Sequence, residues 1–159
     1  MMQKKCLIAM VLLMTVCLVL SCTTNRKTTV PRSSRLVYGV VLAKGILEKN
    51  GIGEPQYPTN TFATKDKQVV AIIRMNNLAG QNKLRWDWHA PSGELYMSSN
   101  DFPLDSVSSG KCLRSMTAWH AMRIYGDMAE KLTGQWRVYI YFNDELIEHK
   151  MFTLVSSKK

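Results

Sequence analysis

Between Gln135 and Phe142 every second residue is large and apolar: Trp136, Val138, Ile140 and Phe142. Side chains two apart share one face of a strand, so this spacing describes a half-buried β-strand. Lys83 to His89 repeats the pattern, with Leu84, Trp86 and Trp88 on one face and Arg85, Asp87 and His89 on the other. Ala90-Pro91-Ser92-Gly93 reads as a turn and Glu94 to Ser98 as the returning strand. Leu36 to Ala43 and Gln68 to Met75 are β-branched and aromatic runs, and Leu146 to Val155 follows an Asn143-Asp144 turn. Arg114 to Tyr125 fits strand or helix; Thr117, Trp119, Ile124 and Tyr125 favour strand. Asn50 to Lys67, with Gly51, Gly53, Pro55 and Pro58, reads as a long irregular connection, and Asp127 to Leu132 as a short helix. The expectation is an all-β domain of about seven antiparallel strands.

At 159 residues, 46% of them hydrophobic, the chain has room for one domain and is too apolar for a solvated coil. Short strands in this number suggest two packed sheets. Leu132-Thr133-Gly134-Gln135-Trp136-Arg137-Val138 resembles the corner before the penultimate strand of immunoglobulin-like domains. The hairpin that ends in Phe152-Thr153-Leu154 resembles their last one. Leu84 to Tyr96, with Trp-Asp-Trp before Pro-Ser-Gly, is similar to a hairpin of small bacterial immunoglobulin-like domains. The resemblance spans Leu36 to Val155. It implies an immunoglobulin-like two-sheet antiparallel sandwich without the antibody disulfide, and it carries no chemistry. A small closed β-barrel is the competing architecture.

The first residues read differently. Lys4 and Lys5 precede an apolar run from Cys6 to Leu20, interrupted only by Thr15. That run is too short for the roughly 20 residues of a transmembrane helix and has no polar face for a core helix. It is the pattern of a secretory signal peptide over residues 1–21. Val19-Leu20-Ser21-Cys22 resembles the lipobox of bacterial lipoproteins. The resemblance implies acylation of Cys22, palmitate among the chains, after cleavage. One acyl chain binds a membrane marginally; several, at about 0.8 kcal/mol per buried CH₂, hold firmly. In Gram-negative bacteria the residue after the lipidated Cys helps to sort lipoproteins, and Thr23 in place of Asp implies the outer membrane.

Residues 22–35 are then the lipidated Cys and a flexible tether, 36–157 the domain, and 158–159 a basic tail. Cys6 and Cys17 leave with the leader and Cys22 is acylated, so Cys112 is the lone thiol and no internal disulfide forms. Activation of Cys112 would need a partner such as Arg114 or His120; a buried, inert thiol is the expected state. The formal charge of +9 shrinks when divided along the chain. Leader, tether and tail hold eight basic residues and no acid, whereas Leu36 to Ser157 holds 13 basic and 12 acidic residues. A neutral domain lacks the basic footprint of a nucleic-acid binder. Arg26, Lys27, Arg32 and Arg35 beside a lipid anchor suit anionic headgroups or a plain soluble spacer equally.

Catalytic signatures are missing from the sequence. His89, His120 and His149 lack zinc-ligand spacing, and Asp101 with Asp105 is too sparse for a strong calcium loop. There is no Gly-x-Ser-x-Gly elbow and no phosphate-cradling glycine loop. Catalytic residues, metal and cofactors are therefore all assigned as none. Trp86, Trp88, Trp119 and Trp136 offer a sugar-stacking platform, but three of them share faces with core residues; Trp119 is the candidate for partial exposure. The expected function is a non-enzymatic, lipid-anchored cell-envelope module that binds or scaffolds another envelope protein. A carbohydrate or peptidoglycan binder using exposed aromatics is the alternative.

Overall fold

The computed structural model describes residues 37–49, 52–78, 81–105 and 113–157. The leader, Cys22, the tether, Leu36, Cys112 and the basic tail lie outside the described residues. No helix among the described residues is long and apolar enough to cross a membrane.

Among the described residues ten strands follow one another: β1 (Val37–Lys49), β2 (Ile52–Pro58), β3 (Thr61–Ala63), β4 (Gln68–Leu78), β5 (Gln81–His89), β6 (Leu95–Ser98), β7 (Phe102–Asp105), β8 (Leu113–Arg123), β9 (Gly134–Phe142) and β10 (Glu145–Val155). They form a four-stranded sheet, β2-β1-β4-β8, and a six-stranded sheet, β3-β10-β9-β5-β6 with β7 also on β5. The sheets stay separate, so the closed-barrel alternative falls.

Ten strands replace the expected seven because β2, β3 and β7 escape an apolar-run criterion. Two of them carry Pro55, Pro58 and Pro103, which remove ladder donors and confine a strand to an edge. Residues 50 to 67, expected to be irregular, hold both β2 and β3. β1 runs six residues past Ala43, and β2 pairs back on it from Lys49↔Ile52; the intervening sequence, Asn50-Gly51, is one that hairpins favour. Pairing is also not wholly antiparallel, since β3 runs parallel to β10. Of Arg114 to Tyr125, the part to Arg123 is strand, as Thr117 and Trp119 favoured, while Ile124 and Tyr125 follow its end. The expected helix at 127–132 is a single 3-10 turn, Met128–Lys131, capped by the Asp127 carboxylate on the Met128 N–H.

Alternation does the packing. Leu84, Trp86 and Trp88 on β5 and Trp136, Val138 and Ile140 on β9 meet Val69, Ala71, Ile73 and Met75 on β4 in one buried cluster. Phe152 on β10 lies opposite Trp136 and stacks on it at 6.1 Å and 16°. Asn143 and Asp144 both take positive φ, 51° and 66°, the twist of a two-residue hairpin turn that suits Asn and Asp.

A second, smaller cluster lies on the far face of the four-stranded sheet: Ala43, Val70 and Ile72, with Ile46 and Trp119 packed against it. The β1–β2 hairpin covers it. A methyl group on Gly53 would stand 2.5 Å from Ile46 Cδ1 and 3.0 Å from the Trp119 ring, so glycine is what lets the strand approach. At the β3–β4 turn, Asp66 accepts from the Ala63 N–H at 2.8 Å and pairs with Lys44 at 2.9 Å. Burial pushes its carboxyl up, but those two partners outweigh it and hold the group below its ordinary pKa.

Gly134 opens β9 at φ 131°, and a Cβ there would lie 3.0 Å from Pro91 Cβ. Gly134→Ala is expected to cost about 1–3 kcal/mol through backbone strain and this contact. Chemical denaturation would read the loss, and an unchanged midpoint would refute it.

Candidate interaction surface

Cross-strand register decides what the sandwich shows to solvent. Arg85↔Tyr141, Asp87↔Tyr139 and His89↔Arg137 pair between β5 and β9, and His149↔Tyr139 and Met151↔Arg137 between β9 and β10. All of these point away from the core, because their sequence neighbours Trp86, Trp88, Val138 and Ile140 point into it. The outer face of the six-stranded sheet therefore gathers two tyrosines, two histidines and two arginines.

The groups are tied to one another. Tyr139 sits between His89, edge-on at 4.9 Å and 75°, and His149, stacked at 5.8 Å and 26°. The Arg85 guanidinium lies 4.5 Å over the Tyr141 ring and its Nε 3.5 Å from Asp87, which also accepts from the Ser98 hydroxyl. Beside them on β10, Leu146, Met151 and Val155 keep 48%, 47% and 42% of their surface in water. Tyrosine and arginine with exposed apolar neighbours is the composition of protein-binding surfaces.

The expected site residues are dispersed by the fold. His120 points into the sandwich from β8, so it cannot share a metal with His89 and His149 on the opposite face of β5, β9 and β10. It stacks on Trp86 at 5.9 Å and accepts the Trp88 indole N–H on Nδ1 at 3.0 Å. Burial holds its pKa below the usual histidine value. Asp101 is engaged by Lys83, whose ammonium reaches Asp101 and Asp144 at 2.9 Å each; the side chain of Asp105 is outside the described residues. The two carboxylates raise the Lys83 pKa and already hold one cation between them. Trp86, Trp88 and Trp136 are fully buried, as their shared faces required. Trp119 is half-buried, with its ring under Gly53, so it presents no open sugar platform.

A groove of about 440 Å³ opens at one end of the sandwich, between the β5–β6 turn and the segment that follows the 3-10 turn. Pro91, Leu95, Tyr96 and Leu132 line it together with the charged Glu94 and Lys131. Tyr96 donates to Asp127 at 2.7 Å and accepts the Ala129 N–H at 3.2 Å. Burial and the neighbouring Asp127 raise the Tyr96 pKa, while Tyr96 and the Met128 N–H lower that of Asp127. These contacts fix the 3-10 turn to β6 and bring no nucleophile and base together.

The domain is an all-β sandwich of two sheets. No family model matches the chain, and no curated protein does. Among solved structures, an immunoglobulin-like protein from Pseudomonas aeruginosa is similar at 18% identity and a TM-score of 0.40, over 76% of this chain and 91% of that one. An alkylpurine DNA glycosylase from Pseudomonas fluorescens, bound to DNA containing an abasic site analog, is similar at 11% identity and a TM-score of 0.43. That match covers 72% of this chain and 30% of the glycosylase. The sandwich architecture rests on the strand order and register described above, and no activity is taken from either protein.

The Tyr-His-Arg face was missed in the sequence for a simple reason. Arg137, Tyr139 and Tyr141 are the polar half of the alternation that marks β9, and the eye follows the apolar half. Only register brings them beside Arg85, His89 and His149.

Proposed function

We propose that this protein is a non-enzymatic lipoprotein of the cell envelope, acylated at Cys22, whose sandwich domain binds another envelope protein. If the host is Gram-negative, Thr23 favours the outer membrane. The observation that supports binding is the outer face of the six-stranded sheet, where Tyr139, Tyr141, Arg85 and Arg137 lie among exposed Leu146, Met151 and Val155. Aromatic and arginine side chains dominate binding energy at protein interfaces. The anchor rests on the lipobox-like ending of the leader, and the neutral domain gives nucleic acid no basic face.

The test is crosslinking in living cells from a photoreactive residue at Arg137. One discrete protein adduct is expected, and Tyr139→Ala should weaken it about tenfold, the loss of a single modest hot spot. No adduct, or one indifferent to Tyr139, would overturn the reading. Labelled palmitate should enter the wild-type protein and not Cys22→Ser.

A carbohydrate or peptidoglycan ligand is the second reading. It is favoured by the same face, where Tyr139, Tyr141, Arg85 and Asp87 supply aromatic and hydrogen-bonding groups together. Adducts to glycan alone would select it.

A further inference from the structure

The edges of the two sheets are not treated alike. β2, at one end of the four-stranded sheet, carries Pro55 and Pro58 and a left-handed Tyr57 at φ 52°. In the six-stranded sheet β3 has three residues, β6 has four and follows a register shift, and β7 has four including Pro103. Shortness, proline and irregularity are the devices that stop an edge from pairing with foreign chain. β8 has none of them. It is eleven residues long, contains no proline, and holds one unbroken register with β4 from Gln68↔Arg123 to Leu78↔Leu113.

Its outward groups follow from the ladder. The Ile124 N–H donates to the Lys67 carbonyl at 3.0 Å, so even-numbered residues of β8 turn their N–H and C=O towards β4. Ser115, Thr117, Trp119, Ala121 and Arg123 turn theirs outward. Among the described residues no strand pairs with that side. β2 approaches β8 through the Gly53 contact with the Trp119 ring and makes no ladder with it.

We infer that β8 is a strand-addition site for an extended, acidic segment of a partner protein. Main-chain hydrogen bonds to the five outward residues would supply the affinity. The charge follows from the strand itself, which has Arg114 and Arg123 and no carboxylate. Like charge therefore opposes a second copy of β8, whereas a segment bearing Asp or Glu complements it. This surface is separate from the Tyr-His-Arg face and survives or fails without it.

The test places photoreactive residues at Thr117 and, in a second strain, at Tyr139. An adduct from Thr117 that maps to an acidic stretch of another protein is expected, and Ala121→Pro should reduce it about tenfold, since proline deletes an outward donor without touching the β4 ladder. Thermal melting of Ala121→Pro verifies that the domain still folds. If it does not, hydrogen exchange on the purified wild-type complex reads the same point: the Thr117 and Ala121 amides should slow on binding. Adducts to a second copy of this chain, insensitivity to proline in a folded variant, or unslowed amides would overturn the inference. An adduct from Tyr139 with none from Thr117 would overturn it too, while leaving the proposed function intact.

Discussion

Trp136→Ala is expected to destabilise the domain by about 3–5 kcal/mol, the range for truncating a large aromatic in a core. Trp136 is fully buried, stacks on Phe152 and meets Tyr96 edge-on at 5.1 Å and 82°. Its indole N–H donates to the Leu132 carbonyl at 2.8 Å, which ties the chain after the 3-10 turn to the start of β9. Removing the ring opens a cavity between β9, β10 and β6 and releases that tie at once. Small domains have about 5–15 kcal/mol in total, and the sequence offers this one no disulfide reserve. Urea denaturation should show a large drop in midpoint with the slope preserved. Trp136→Phe keeps the stack on Phe152 and loses mainly the hydrogen bond, so about 1–2 kcal/mol is expected. Equal losses in the two variants would show that the tether to Leu132, and not the ring, carries the stability.

The contrast between Trp136 and Trp119 marks how far the sequence could be read. Trp86, Trp88 and Trp136 each alternate with polar neighbours, and period two alone sends them inside. Trp119 lies in a run whose two faces are both partly apolar, because β8 buries Ala118 and Met122 against the six-stranded sheet and packs Trp119 under the β1–β2 hairpin. No one-dimensional pattern separates two such faces. What covers Trp119 was hidden for the same reason that β2 was missed: its prolines and glycines are those of a loop, and only pairing with the long second half of β1 makes them a strand.

The surface was less legible than the core. A core residue is specified by its own alternation, whereas a surface cluster needs residues from several strands in register. His89 and His149 lie sixty residues apart and meet on opposite sides of Tyr139, an outcome fixed by β9 running between β5 and β10. The open edge of β8 is also a property of sheet order. β4 is of equal length and likewise free of proline, yet it has a neighbour on each side.

Acid should loosen the same sandwich through His120. The rings of Trp86 and Trp88 from β5 pack against it, and Ala71 on β4 is its ladder partner. Tyr38 and Tyr96 are the titratable groups turned into this core elsewhere, and no acid among the described residues faces His120 to compensate a positive charge. Protonation would also abolish the lone pair on Nδ1 that accepts the Trp88 indole N–H. The folded-state pKa thus lies below the unfolded value of about 6.5. Between the two, the unfolded chain binds a proton that the native fold refuses, so stability increases with pH across that window. The full contribution is present above about pH 6.5, and it is lost as the pH falls from there to the folded-state pKa. Asp66 and Asp127, whose pKa values lie below 3.8, lose their contributions only at lower pH, so the two regimes separate. His120→Gln keeps a neutral acceptor for Trp88 and does not titrate. Denaturation midpoints measured from pH 8 to pH 5 should fall for the wild-type protein and fall less for this variant. His89 and His149 are common to both, so the difference belongs to His120. Parallel curves would show that the core tolerates the charge, and the Trp88–His120 bond would then be a contact without consequence for acid stability.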